Sequence, residues 1–205
     1  MILAGSDSEM ISKLAKNMAH FFVLQNITEE SKEAIYAYGM ELMIADVLNT
    51  LIVLLIALIS HTLPAVIIFV AVFMVLRRFV GGYHANTHLS CMTTLVAVML
   101  IFSYGICNIS NEVSRIFSIC FIIVSVPIIF CVAPVPHPNK PMSEEKGIKL
   151  KRKSRVLSVF LALSVIALAL FKFNKLGLYV SSGILLSAIA ALLGRFLNGG
   201  DNSKQ

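Results

Sequence analysis

Six apolar runs dominate this chain of 205 residues, at about 42–60, 63–76, 89–106, 116–135, 156–171 and 176–194. A helix needs ~20 apolar residues to cross the hydrocarbon core, within a range of ~17–25. Inside lipid every backbone N–H and C=O must find its partner within the protein, which leaves only helices and closed barrels as spanning structures. Hydrophobic residues make up 58% of the chain and charged residues only 14%. No soluble domain of this size needs so much apolar surface. The expected fold is an all-α integral membrane protein with about six transmembrane or re-entrant helices. The second and fifth runs are short, so they are expected to lean on flanking residues or on local thinning of the bilayer. The second also suits a segment that enters without fully crossing.

A formal charge of +6 and a pI near 9.3 would suit a nucleic-acid binder. The placement of the charge argues against nucleic acid, because the basic residues sit in short segments between apolar runs. Of the 17 Lys and Arg residues, 14 fall on one side of an alternating topology: Lys13, Lys16, Lys32, Arg77, Arg78, Lys140, Lys146, Lys149, Lys151, Arg152, Lys153, Arg155, Arg195 and Lys204. Only Arg115, Lys172 and Lys175 fall on the other. The positive-inside rule then predicts a multi-pass protein with both termini, and the stretch 77–91, in the cytoplasm. Residues 1–10 lack the basic start of a secretory signal, so no cleavable leader is expected.

Residues 1–40 read as an amphipathic N-terminal arm. Met10, Ile11, Leu14, Met18, Phe21 and Phe22 recur at helical spacing with Lys13, Lys16 and Asn17 between them, the pattern of a helix lying on a membrane surface. A second helix is expected to start near Thr28, with Glu29, Glu30 and Glu33 favourable in its first turns, and to run on towards the first span. The membrane domain covers 41–197. Within it, Asp46 and Asn49 are polar residues in an apolar run. Residues 136–155 read as a basic cytoplasmic loop, its approach and start stiffened by Pro134, Pro136, Pro138 and Pro141, and its end a basic block through Lys149, Lys151, Arg152, Lys153 and Arg155. That block suits anionic lipid, and equally an acidic peptide. Residues 198–205 read as a disordered tail.

Cys107, Cys120 and Cys131 lie in or at the ends of apolar runs and read as small hydrophobes. Cys91 differs, because the stretch Arg77-Arg78-Phe79-Val80-Gly81-Gly82-Tyr83-His84-Ala85-Asn86-Thr87-His88-Leu89-Ser90-Cys91 places it near two arginines and two histidines. Three chemistries fit. A thiolate nucleophile can act with histidine as its base, while Gly81 and Gly82 allow tight turns whose N–H groups hold an oxyanion. His84, His88 and Cys91 at i, i+4, i+7 can instead share a helical face and hold zinc, although no carboxylate lies within the stretch. The same groups can also simply pack and hydrogen-bond. Geometry constrains the first option. Seven residues of helix would separate His84 and Cys91 by about 10.5 Å along the axis at 1.5 Å per residue. A nucleophile–base contact needs roughly 3 Å. A catalytic pair therefore requires the chain to turn back between them.

The run Arg77-Arg78-x-x-Gly81-Gly82-x-His84-Ala85, with Cys91 seven residues after His84, resembles the signature of the accessory gene regulator B (AgrB) family. These are bacterial membrane cysteine endopeptidases that process quorum-sensing peptide precursors. The chain length, the amphipathic arm and the proline-rich then basic segment after the fourth run are similar too. The resemblance implies Cys91 as nucleophile and His84 as general base and acid, with Arg77, Gly82 and Gly81 in support. It implies no cofactor and no metal, and it leaves His88 outside the motif. The implied substrate is an AgrD-like precursor peptide whose acidic C-terminal tail meets the basic block. The implied setting is the bacterial cell membrane, in contact with lipid and as a homodimer, with no nucleic-acid partner. The competing expectation is a small non-enzymatic transporter or transporter subunit, which six spans with polar groups in the first would also suit.

Overall fold

A computed structural model of the chain describes residues 3–25, 29–81, 88–135 and 144–199. The expectation of an all-α membrane protein holds. Among the described residues, seven α-helices run in order: α1 (Leu3–Leu24), α2 (Glu33–Ile59), α3 (Leu63–Val80), α4 (His88–Leu100), α5 (Asn111–Val132), α6 (Glu144–Leu170) and α7 (Asn174–Gly199). Among the described residues, α2, α3, α5, α6 and α7 are long and apolar enough to cross a membrane, and Met92–Asn108 forms a shorter apolar helical stretch. The chain divides into two compact units, one of Met1–Ile59 with Ala85–Leu100 and the other of Ser60–His84 with Ile101–Gln205.

In the first unit α1 packs along α2, and α2 also meets α4. Ala15 and Ala19 of α1 are buried, whereas Leu14 and Phe21 stay exposed. Small residues let the two helices approach, and the larger apolar groups remain available to lipid. A 3-10 turn at Glu30–Lys32 leads into α2, which then continues unbroken into the first apolar run. That agrees with the expected continuation, although Thr28 itself lies outside the described residues. Asp46 and Asn49 consequently sit mid-helix, well past the start of α2 at Glu33.

The second unit is organised around α7, which packs against α3, α5 and α6. Its core joins Leu76 and Val80 of α3, Ile129 and Val132 of α5, Val165 of α6, and Val180, Ile184, Ala188 and Ala191 of α7. Gly183 marks the closest crossing. A Cβ there would stand 2.9 Å from the Phe69 carbonyl oxygen and 2.9 Å from the Val72 side chain of α3. One turn on, the Ser187 hydroxyl donates to the Gly183 carbonyl. Small residues at such spacing drive helix pairing in lipid, where apolar burial gives no net attraction. The buried polar side chains of this unit are serines. Several of them, such as Ser118, Ser158 and Ser182, return their hydroxyl to a carbonyl of their own helix, which removes the cost of burying it.

Four boundaries depart from the sequence expectations. The short second run becomes an 18-residue helix, because Arg77, Arg78, Phe79 and Val80 continue α3. At 1.5 Å per residue that is about 27 Å, close to the hydrocarbon thickness. The fifth run gains its length from the basic block: residues 144–155, expected as loop, are the first turns of the 27-residue α6. The third run is the one that breaks. After Leu100 the helix widens into a π turn (Ile101–Gly105) and tightens into a 3-10 turn (Ile106–Asn108). The π turn buries Phe102 and Ser103. Phe102 stacks on Phe69 with ring centroids 4.1 Å apart, and the Thr62 hydroxyl donates to Ser103 Oγ at 3.2 Å. A π insertion re-aims side chains at the cost of helical regularity. At the other end of the chain, α7 continues to Gly199, two residues into the expected tail; residues 200–205 lie outside the described residues.

Candidate active site

The stretch 77–91 is not one helix. The Gly81 N–H donates to the Arg77 carbonyl at 3.0 Å, closing the last turn of α3. Gly81 itself takes φ +73 and ψ −156, a conformation open essentially to glycine alone. Its surroundings demand glycine as well, since a Cβ there would lie 2.5 Å from the Val135 carbonyl oxygen. Helix resumes at His88. Gly82 and His84 lie outside the described residues.

Arg77 is half-buried, with its guanidinium over the Phe73 ring at 5.4 Å. Arg78 is exposed. Cys91 occupies the first turn of α4, three residues after His88. The N-terminal end of a helix is electropositive because of the aligned peptide dipoles.

The ends of α3 and α5 are tied together. The Val135 N–H donates to the Val80 carbonyl at 2.9 Å, so that Gly81 and Val135 form an isolated parallel bridge. Val80 and Val135 are both buried, at 0% and 7% exposure, so this contact excludes water. Two arginines close the end of α5. Arg155 Nη2 of α6 donates to the Phe130 carbonyl at 3.0 Å, and its guanidinium lies over the Phe130 ring. Arg195 Nη1 of α7 donates to the Cys131 carbonyl at 2.9 Å. Cations are favourable at a helix C-terminus, where unpaired carbonyls concentrate negative charge. At the opposite end of the unit, Lys175 Nζ does the same for the Cys107 carbonyl at 2.8 Å. From the sequence, Arg195 counts only as an orienting charge, and Arg155 as an orienting charge and the last residue of the basic docking block. Nothing local in the sequence announces the carbonyls they cap.

The basic block is divided by helical geometry. Lys149, Lys151, Arg152 and Lys153 are all exposed. Lys149, Arg152 and Lys153 share a face at i, i+3, i+4 spacing, whereas Lys151 lies roughly 200° round from Lys149 at 3.6 residues per turn. Lys153 Nζ sits 6.0 Å over the Phe79 ring of α3, two residues before Gly81. That brings the block beside the start of the 77–91 stretch. Cys107, Cys120 and Cys131 carry free thiols.

The family model for Accessory gene regulator B matches residues 8–191. A protein of Clostridium beijerinckii named "Putative AgrB-like protein" is 25% identical over 143 residues, covering 69% of this chain and 71% of that one. The "Putative AgrB-like protein 2" of Clostridium perfringens is 24% identical over 189 residues, covering 88% and 86%. The "Accessory gene regulator protein B" of Staphylococcus epidermidis is 20% identical over 184 residues, covering 90% and 92%. No solved structure matches the chain.

Proposed function

From the premise that the chain belongs to the accessory gene regulator B family, we propose that it is a membrane cysteine endopeptidase that matures a peptide signal. Cys91 is the nucleophile and His84 the general base and acid. The observation that carries this reading is the break in the 77–91 stretch. A pair seven residues apart on one helix could not touch, and Gly81 ends α3 before His84 while Cys91 lies in the first turn of α4.

The reaction runs in two acyl transfers. His84 takes the Cys91 thiol proton as the sulfur attacks the carbonyl that joins the signal region to its C-terminal tail. The electropositive first turn of α4 favours the negative charge on that sulfur. Backbone N–H groups near Gly82 are suited to the oxyanion. The C–N bond breaks, His84 protonates the leaving amine, and the tail departs, leaving the signal region as a thioester on Cys91. A cysteine or serine within the bound peptide then attacks the thioester and closes a thiolactone or lactone, and Cys91 recovers its proton. Making a thioester from an amide is uphill and thioester exchange is nearly balanced, so loss of the tail drives the sequence. Water must stay off Cys91 throughout.

The substrate is an AgrD-like precursor docking from the cytoplasmic side, its acidic tail against Lys149, Arg152 and Lys153. Arg77 supports the stretch from the last turn of α3. The enzyme works in the cell membrane as a homodimer.

Substitution in native membranes tests the reading. Cys91→Ala and His84→Ala each abolish cleavage of the cognate precursor while the protein still accumulates, and His88→Ala keeps most activity. If His88→Ala were as inactive as Cys91→Ala and chelators also inhibited, a zinc site would replace this mechanism.

A further inference from the structure

We infer that Arg155 and Arg195 are positioning residues: by capping the C-terminus of α5 they hold Val135 against Gly81, and so set where the chain leaves α3 for His84. The role in turnover rests on the endopeptidase reading above; the capping itself does not.

The links are continuous within one unit. The last four carbonyls of any α-helix lack intrahelical partners. In α5 the Ile129 carbonyl accepts from the Ala133 N–H, the Phe130 carbonyl from Arg155 and the Cys131 carbonyl from Arg195. The two guanidinium groups come from different helices, α6 and α7, so the end of α5 is fixed from two directions. Two residues past Ala133, Val135 donates to Val80 and packs its carbonyl against Gly81. Gly81 has φ +73 because the chain must leave the helix there, with the Val135 carbonyl filling the space of any Cβ. The point at which the chain leaves α3, at Gly81, is therefore coupled to where Val135 sits. Val135 in turn follows directly from the capped end of α5.

This separates Arg155 from its neighbours in the basic block. Lys149, Arg152 and Lys153 are exposed, whereas Arg155 is half-buried with its guanidinium on a backbone carbonyl and an aromatic ring. A docking residue acts on substrate affinity. A positioning residue acts on the turnover of substrate already bound.

The test uses the full chain in nanodiscs, with two measurements on Arg155→Gln, Arg155→Lys and Arg195→Gln. Hydrogen exchange reads the amides of Ala133 and Val135. Both should exchange faster by about tenfold in the Gln variants, the scale of losing one charge-assisted hydrogen bond, while amides across residues 177–191 of α7 keep their protection. Steady-state cleavage of the precursor should show kcat reduced with KM unchanged, and Arg155→Lys should restore both measurements in part. Unchanged exchange at Ala133 and Val135 overturns the capping role. Faster exchange with unchanged kcat overturns the link to the catalytic stretch, and a rise confined to KM returns Arg155 to the docking strip. A Cys91→Ala control keeps the two claims apart. Cleavage that survives it removes the endopeptidase reading, while the exchange data still decide the capping. Should the Gln variants fail to accumulate, Arg155→Lys alone must show intermediate exchange and kcat, and wild-type values in both would overturn the proposal.

Discussion

Gly81 and Val135 meet backbone to backbone, with the Val135 carbonyl oxygen 2.5 Å from the point where a Gly81 Cβ would lie. The Val135 N–H pairs with the Val80 carbonyl at 2.9 Å. The contact joins the segment after α5 to Gly81, the residue at which the chain leaves α3, across more than 50 residues of sequence.

Gly81→Ala should therefore be costly in function before it is costly in fold. The substituted residue would carry a positive φ, at about 1–3 kcal/mol, and would push Val135 away. The expected outcome is precursor cleavage reduced at least about tenfold, the rate equivalent of 1.4 kcal/mol, with the protein still present in membranes. Cleavage kinetics alongside immunoblotting of the membrane fraction check it.

Gly183 makes a contrasting prediction about stability. Gly183→Val would place a branched side chain on the Phe69 carbonyl and Val72, so α3 and α7 must separate. Overpacking of this kind costs about 1–3 kcal/mol. Gly39 in α2 has nothing within 4 Å of its would-be Cβ, and Gly39→Ala should stabilise by about 0.5–1 kcal/mol through helix propensity. Thermal unfolding in detergent should lower the midpoint for the first and raise it for the second.

The exposed face of α6 carries the third prediction. Replacing Lys149, Arg152 and Lys153 together by Gln should raise KM for an acidic-tailed precursor about tenfold, as expected for three exposed charges worth up to about 0.5 kcal/mol each. Lys151→Gln alone should change little, since Lys151 lies on another face. The KM difference should shrink with added salt. Unchanged KM in the triple variant would remove the docking role.

Much of this architecture was legible in the sequence, and the reasons are local. Apolar runs near span length announce membrane helices whatever their neighbours do, and α2, α3, α5, α6 and α7 all follow. Gly81 was legible as a turn because glycine alone tolerates its backbone. The failures lie where local rules compete. Residues 144–155 contain Lys, Arg, Leu and Glu, good helix formers, yet the preceding prolines and the charge made them read as loop. The π turn at Ile101–Gly105 has no apolar signature of its own, because packing of Phe102 on Phe69 dictates it. Arg155, Arg195 and Val135 act through backbone groups far away in sequence, and no single-sequence pattern encodes such partners. At the proposed site, residue chemistry offered His84, His88 and Cys91 and required a turn if His84 and Cys91 act as a pair; the family resemblance then chose among three chemistries and set His88 aside.

The central claim is an acyl-enzyme on Cys91, and intact-protein mass spectrometry tests it most directly. A precursor whose internal cysteine or serine is replaced by alanine cannot cyclise, so the thioester should persist. The account predicts an adduct equal to the precursor without its tail, mapped to Cys91, discharged by hydroxylamine, and absent from both Cys91→Ala and His84→Ala. Tail cleavage with no adduct on Cys91, or an adduct that forms unchanged in Cys91→Ala, would contradict it.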